Sequence, residues 1–267
     1  MRIKFQIALR HLLFFLLFTI LTQTGGIIYL FNSLLFLKKK QVKKSFKLLS
    51  YVCIYIIVNL LITPQLAQLN GREPVFENNK EKLGNSFFKL LNRNYVKPEL
   101  NLLLNSVSQD LNETPIQINV LDANFPFWDG FPLIPHLSHN DGKKLDLPFV
   151  YENPNGESSN NIKSLSGYGI FEEAKTGEIN QVNNCEENGF YQYSIAKFIG
   201  LNLFHKDLVF SENGTKLLIN SILRQSALEK LFIEPHMKNR LNLNHTKVWY
   251  HACHAVRHDD HIHIQIK

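Results

Sequence analysis

The stretch RHDDHIHIQIK, Arg257–Lys267, decides how the chain is read. From His261 onward, ionisable and apolar residues alternate, and a period of two marks a β-strand with successive side chains on opposite faces. His261 and His263 therefore point together, with Asp259 one step back on the same face and Asp260 aimed away. Ile262, Ile264 and Ile266 fill the other positions, so the sheet is expected to be covered on both sides. Two imidazoles in a covered sheet are costly unless they have partners. Hydrogen bonding in the core is one solution, and a zinc ion, which neutral imidazole ligates well, is the other. With 11 histidines among 267 residues, an H-x-H arises by chance in roughly every second chain of this length, so the pair alone decides nothing.

Upstream, TKVWYHACHAV (246–256) reads as the neighbouring strand. Its His251 and His254 read as supporting or surface side chains. FYQYSIAKFIGLNLF (190–204) and GTKLLINSILRQSALEKLF (214–232) carry helical spacing. Residues 152–188, rich in Asn, Ser, Gly and Glu, form either an ordered lid or a disordered loop. KKLDLPFVY (143–151) and PIQINVLDA (115–123) read as strands, and NFPFWDGFPLIP between them as loop. There Trp128 is expected in the core and Asp129 near the cleft. EKLGNSFFKLLNRNY (81–95) and KPELNLLLNSVSQDL (97–111) read as helices, with Pro98 opening the second. The expected class is α+β: an antiparallel sheet with helices packed on it, carrying a zinc site.

A second constellation, PHLSHNDGKKLDL (135–147), holds His136, His139 and Asp146. Gly142 permits a turn that brings His139 and Asp146 to one place. Joined by one C-terminal histidine, they make three protein ligands and leave a fourth position for water, the arrangement of a catalytic zinc. A structural zinc would need a fourth protein ligand, for which only Cys253 is available.

H-x6-D followed far downstream by H-x-H resembles the zinc peptidases that share a fold with D-alanyl-D-alanine metallopeptidases and hedgehog signalling domains. Ser138 and Gly142 suit the first motif. His136, three before His139, and His258, three before His261, bring the likeness nearest to penicillin-insensitive murein endopeptidases. That resemblance implies a zinc ion held by His139, Asp146 and His263. It makes His261 the oxyanion stabiliser and places His136 and His258 along the site, with His258 as proton acceptor. Many relatives use a glutamate as the base; here the base is left open between His258, Asp259 and Asp260. The implied substrate is a peptide cross-link of bacterial peptidoglycan, cut by zinc-activated water. A non-catalytic zinc-binding module acting as an envelope interaction protein is the alternative on the same fold.

The N-terminus departs from those soluble relatives. Residues 11–37 and 48–64 are apolar, free of Asp, Glu, Lys and Arg, and lack a polar face. They read as two transmembrane helices in a membrane anchor, residues 1–64, ahead of an extracytoplasmic (periplasmic) domain, residues 65–267. A cleaved signal peptide is the other reading of the first segment, although no A-x-A-like site follows it. Nine of the 29 Lys and Arg lie in the first 47 residues, which contain no acid; the other 20 face 23 acidic residues, a balance of −3. The basic surplus thus flanks apolar segments and is absent from the folded part, which argues against nucleic-acid binding. Six lysines between residues 38 and 47 place that loop in the cytoplasm and both flanking ends outside. Cys185 and Cys253 either pair in an oxidising compartment or stay free. Arg257 either binds a substrate carboxylate or pairs with Asp259 or Asp260.

Overall fold

The computed structural model describes residues 2–37, 39, 41–198 and 205–267. Its N-terminal part is helical: Arg2–Thr22, Gly25–Leu35, and Lys44–Ile57 running through a π-turn (Val58–Ile62) into Thr63–Leu69. Two stretches, Phe5–Thr22 and Lys44–Leu69, are long and apolar enough to cross a membrane, with mean hydropathy 1.8 and 2.0.

The expected span over 11–37 is corrected: the chain folds back at Gln23–Thr24. Gln23 takes a positive φ of 61°, and Thr22 Oγ1 accepts from Gly25 N at 2.9 Å. Gly25 and Gly26 let the two helices touch, since a Cβ on Gly26 would lie 1.9 Å from Thr19 Oγ1. The returning helix, 11 residues long, is about 16 Å, short of the ~30 Å hydrocarbon core. Its Tyr29 hydroxyl bonds His11 Nδ1 at 2.7 Å, and Asn32 Nδ2 donates to Lys47 O at 3.0 Å. The N-terminus and the lysine-rich loop therefore share one end of this bundle. The expectation puts those two on opposite sides of a membrane. The second span also outruns residue 64, because Thr63 and Pro64 begin a new helical turn instead of ending the old one.

The remaining chain is mixed α+β with several small sheets. The main sheet has the order Val248–Trp249, Leu228–Phe232, His261–Ile266, Lys144–Pro148. Its last three strands are antiparallel, whereas Val248–Trp249 pairs parallel to Leu228–Phe232. One face packs Leu145, Leu147, Ile262 and Ile264 into a core shared with Leu100 and Leu104 of the helix Pro98–Asp110 and Ile219 and Ile222 of the helix Glu212–Leu223. Pro98 starts the first of these helices, as its fixed φ favours. Ser211 caps the second by accepting from Gly214 N at 3.1 Å.

Four local expectations fail. RQSALEKLF, strong in helix formers, supplies the strand Leu228–Phe232 in the middle of the sheet. Residues 81–95 give a strand Glu81–Leu83, one short helix Ser86–Leu90 and a strand Tyr95–Val96. Gly84, whose Cβ would meet Leu121 at 3.0 Å, and Asn92, at φ 58°, break the helical run. In 190–204, residues 191–198 form a 3-10 helix, Tyr191–Phe198, and 199–204 lie outside the described residues. Trp128 is 53% exposed, tilted against Phe127 and Phe131 instead of in the core. The segment 152–188 is ordered as a lid: Tyr168 and Gly169 reach the site face of the sheet, and a disulfide joins Cys185 in the helix Gln181–Glu187 to Cys253.

Candidate metal centre

The site lies on the sheet face opposite the apolar core. Register alone assembles half of it, because His263 is paired directly across from Asp146 in the antiparallel ladder. Segment 121–123 runs along the outer edge, with Leu121 N donating to Asp146 O and Asp146 N donating to Asp122 O. This places Asp122 and the Ala123 carbonyl beside Asp146. The turn through Gly142, at φ 80°, returns residues 136–139 over the same spot.

His136, His139 and Asp146 form a buried group able to hold a metal ion. Around Asp146 Oδ1 the distances are 3.3 Å to His139 Nε2 and 2.9 Å to His263 Nδ1, while the two nitrogens lie 3.0 Å apart. A tetrahedral ion with bonds of about 2.0–2.1 Å keeps its ligand atoms about 3.3 Å apart, so this triangle has the right size. The tautomer fits as well: His139 Nδ1–H donates to Ala123 O at 2.7 Å, which leaves the Nε2 lone pair facing Asp146 and His263. His136 is differently engaged, with Nδ1 3.0 Å from Asp122 Oδ2 and 3.2 Å from Asp146 Oδ2.

The supporting groups escaped the sequence reading. Asp122 is fully buried and paired with Arg93. The Tyr168 hydroxyl donates to Asp146 Oδ2 at 2.8 Å and accepts from Asp122 N at 3.1 Å. Neither residue belongs to a histidine motif; only the strand-like 115–123 hinted that Asp122 would be placed by a sheet. Tyr168→Phe should leave the Asp122 N–H buried without its partner, at about 1–3 kcal/mol, and weaken metal affinity about 10–100-fold. Competition with a chromophoric chelator measures the second effect.

At the other end of the site, a bend at Asp259–Asp260 precedes the strand. The expected facing is reversed: Asp260 turns to bond His261 Nδ1, and Asp259 turns away to pair with Arg257. Arg257, fully buried, also bonds Glu173 at 2.7 Å and lies over Phe171. It clamps the lid to this segment, so the carboxylate-binding option falls. Asp129 pairs with Arg72 outside the cleft.

Charge divides the histidines. Burial works against protonation of His139, yet Asp146 raises its pKa. Burial would raise Asp146 itself, but His139, His261 and His136 hold it well below the usual range. Burial pushes His263 down to about 3. His258 falls well below the usual histidine value through burial and the charges of His261, His263 and His251. His261 opposes its own burial and rises to about 9, drawn up by Asp146 and Asp260. The two rings stand 4.8 Å apart, centroid to centroid, with their pKa values pushed in opposite directions.

These rings border a cavity of about 520 Å³, lined also by Leu137, Gln192, Ile195 and Val256. His251 faces it, stacked on Phe232 and His258, and His254 sits on its rim. No protein-family model matches the chain, and no curated protein matches it.

Proposed function

We propose that the chain is a membrane-anchored zinc hydrolase that cuts a peptide bond in the cross-links of bacterial peptidoglycan. The observation that carries this reading is the triangle of His139 Nε2, Asp146 Oδ1 and His263 Nδ1, bordered by His258 and His261 on one open cavity. His139, Asp146 and His263 would hold the ion, and His136 would orient Asp146 together with Tyr168. Zinc bound there lowers the pKa of a water and polarises a carbonyl.

The chain's own groups divide the remaining work. His258 faces the cavity beside the proposed ligands and is the proton acceptor in this reading. Asp259 and Asp260 are occupied by Arg257 and His261, which favours His258 over either as base. His261, fixed by Asp260, donates toward negative charge developing on a substrate oxygen. The substrate class rests on the motif likeness, the membrane helices, and a disulfide that belongs in an oxidising compartment. The binding-module reading draws its support from the burial of the ligands, none of which exceeds 3% exposure at His139, Asp146 and His263. Hydrolysis of purified peptidoglycan by the zinc-loaded full chain separates the two: no cleavage by folded, metal-loaded protein leaves the module.

The bundle geometry predicts a topology. Reporters fused at the N-terminus and after Lys44 should both read cytoplasmic, and one after Leu69 extracytoplasmic. A cytoplasmic signal after Leu69 would remove peptidoglycan as the substrate.

A further inference from the structure

Little that is polar holds the ring of His258. The residue is 3% exposed on the cavity wall, and its Nδ1 is buried with no hydrogen-bond partner among the described residues. Its aim therefore depends on ring contacts with His251 and His261 and on where its backbone is fixed. The antiparallel register of Leu228–Phe232 with His261–Ile266 sets His263 across from Phe232 and, continued, would set His261 across from Glu234. The bend at Asp259–Asp260 breaks that run, and Glu234 meets His258 instead, its N donating to His258 O at 3.0 Å. The return bond does not go to the Glu234 carbonyl, which accepts from Lys238 N as the helix Pro235–Arg240 begins. A buried N–H needs an acceptor, and the Glu234 side chain supplies it: Oε1 accepts from His258 N at 3.0 Å. The same oxygen accepts from the Tyr193 hydroxyl at 2.6 Å, while Tyr193 O accepts from Arg257 N at 3.1 Å. Glu234 and Tyr193 are both fully buried, and neither lines the cavity. Gln192 and Ile195, on the turn that carries Tyr193, do line it.

We infer that Glu234, steadied by the Tyr193 hydroxyl, is the positioning residue that aims His258 into the cavity. The consequence for catalysis rests on the proposed hydrolysis; the placement of the ring does not. The working atom is Oε1, since Oε2 is buried with no partner among the described residues. An amide oxygen in the place of Oε1 can accept both bonds, so the role needs an acceptor and no charge. Tyr193 fixes the carboxylate through its hydroxyl and Arg257 through its carbonyl. The wall that presents Gln192 and Ile195 and the mount of His258 are thus one piece.

The test compares Glu234→Met, Glu234→Gln and Tyr193→Phe in the zinc-loaded full chain. Diethyl pyrocarbonate labels accessible imidazoles, and mass spectrometry reads His258 against exposed His245. Glu234→Met keeps the length of the side chain but offers only a weak acceptor. It should keep its zinc and label His258 about tenfold faster, the size expected when a hydrogen bond opposing local opening is lost. On soluble cross-linked muropeptides it should lose about a hundredfold in kcat with KM unchanged, since a misplacement of about 1 Å has that cost. Tyr193→Phe should move both readouts the same way by less. Glu234→Gln should return both to nearly wild type, which a role through charge or proton transfer would not allow. Unchanged labelling in folded Glu234→Met, or unchanged kcat where the wild type is active, overturns the inference alone. So does a Glu234→Gln as impaired as Glu234→Met. If Glu234→Met does not fold, Tyr193→Phe takes its place, and unchanged labelling there overturns the inference. If the wild type cleaves nothing, the hydrolase reading falls and labelling alone decides the placement of His258: faster in Glu234→Met and restored in Glu234→Gln sustains it, and any other pattern overturns it.

Discussion

His258→Ala should keep its zinc and lose about 10²–10⁴ in peptide-bond hydrolysis, the usual size of an acid–base contribution. The variant removes an imidazole that is buried, with its pKa pushed down first by that burial, and placed on the cavity wall. None of the three proposed ligand atoms bonds it. His261→Ala should lose a similar factor for the opposite reason, since it deletes a cationic donor set by Asp260. Asp260→Asn should reproduce part of that loss by weakening the charge that holds His261 protonated, whereas Asp259→Asn should act through stability, by unpairing Arg257. Steady-state rates on purified peptidoglycan, read beside metal content, decide the assignment. Wild-type turnover by His258→Ala together with a dead, folded Asp259→Asn would make the aspartate the base.

The C-terminal strand was legible because its period of two is carried by residues that cannot be traded: imidazoles on one face, isoleucines on the other. The helix Pro98–Asp110 was legible through its proline and apolar spacing. Leu228–Phe232 was not, because Ala, Leu, Glu and Lys favour helix and only the slot between two other strands overrides that preference. Spacing brought His139 and Asp146 together with one C-terminal histidine, the motif likeness made that histidine His263, and the cross-strand register of His263 with Asp146 accounts for their meeting. Asp122 and Tyr168 could not be named, since what places them is hydrogen bonding across the sheet edge and the lid, with no local pattern to signal it. The facing of Asp259 and Asp260 was misjudged for a related reason. The period of two was extended past His261, where the backbone bends. The hairpin at Gln23 was not legible, because it is encoded by Thr22, Gly25 and Gly26, whose small size matters only once two helices touch.

The largest stability effect should come from the metal itself. A ligand present at a thousand times its dissociation constant stabilises the folded state by about 4 kcal/mol, and a domain near this size gains about 2–4 °C per kcal/mol. Chelation of the wild type should therefore lower Tm by about 8–16 °C. His263→Ala, His139→Ala and Asp146→Ala should show no such shift and carry only background zinc on metal analysis. Asp146→Ala should be the least stable of the three, because it strips the one carboxylate shared by His136, His139 and His263 and takes from buried His263 Nδ1 its carboxylate acceptor. His136→Ala is the control that discriminates between ligand sets, for its Nδ1 is committed to Asp122 and Asp146. It should retain zinc and most of the chelation shift. If His136→Ala empties the site while His263→Ala keeps it full, the ion is held by His136, His139 and Asp146. His263 would then be a hydrogen-bond donor to Asp146, and the proton-transfer roles would have to be reassigned around that centre.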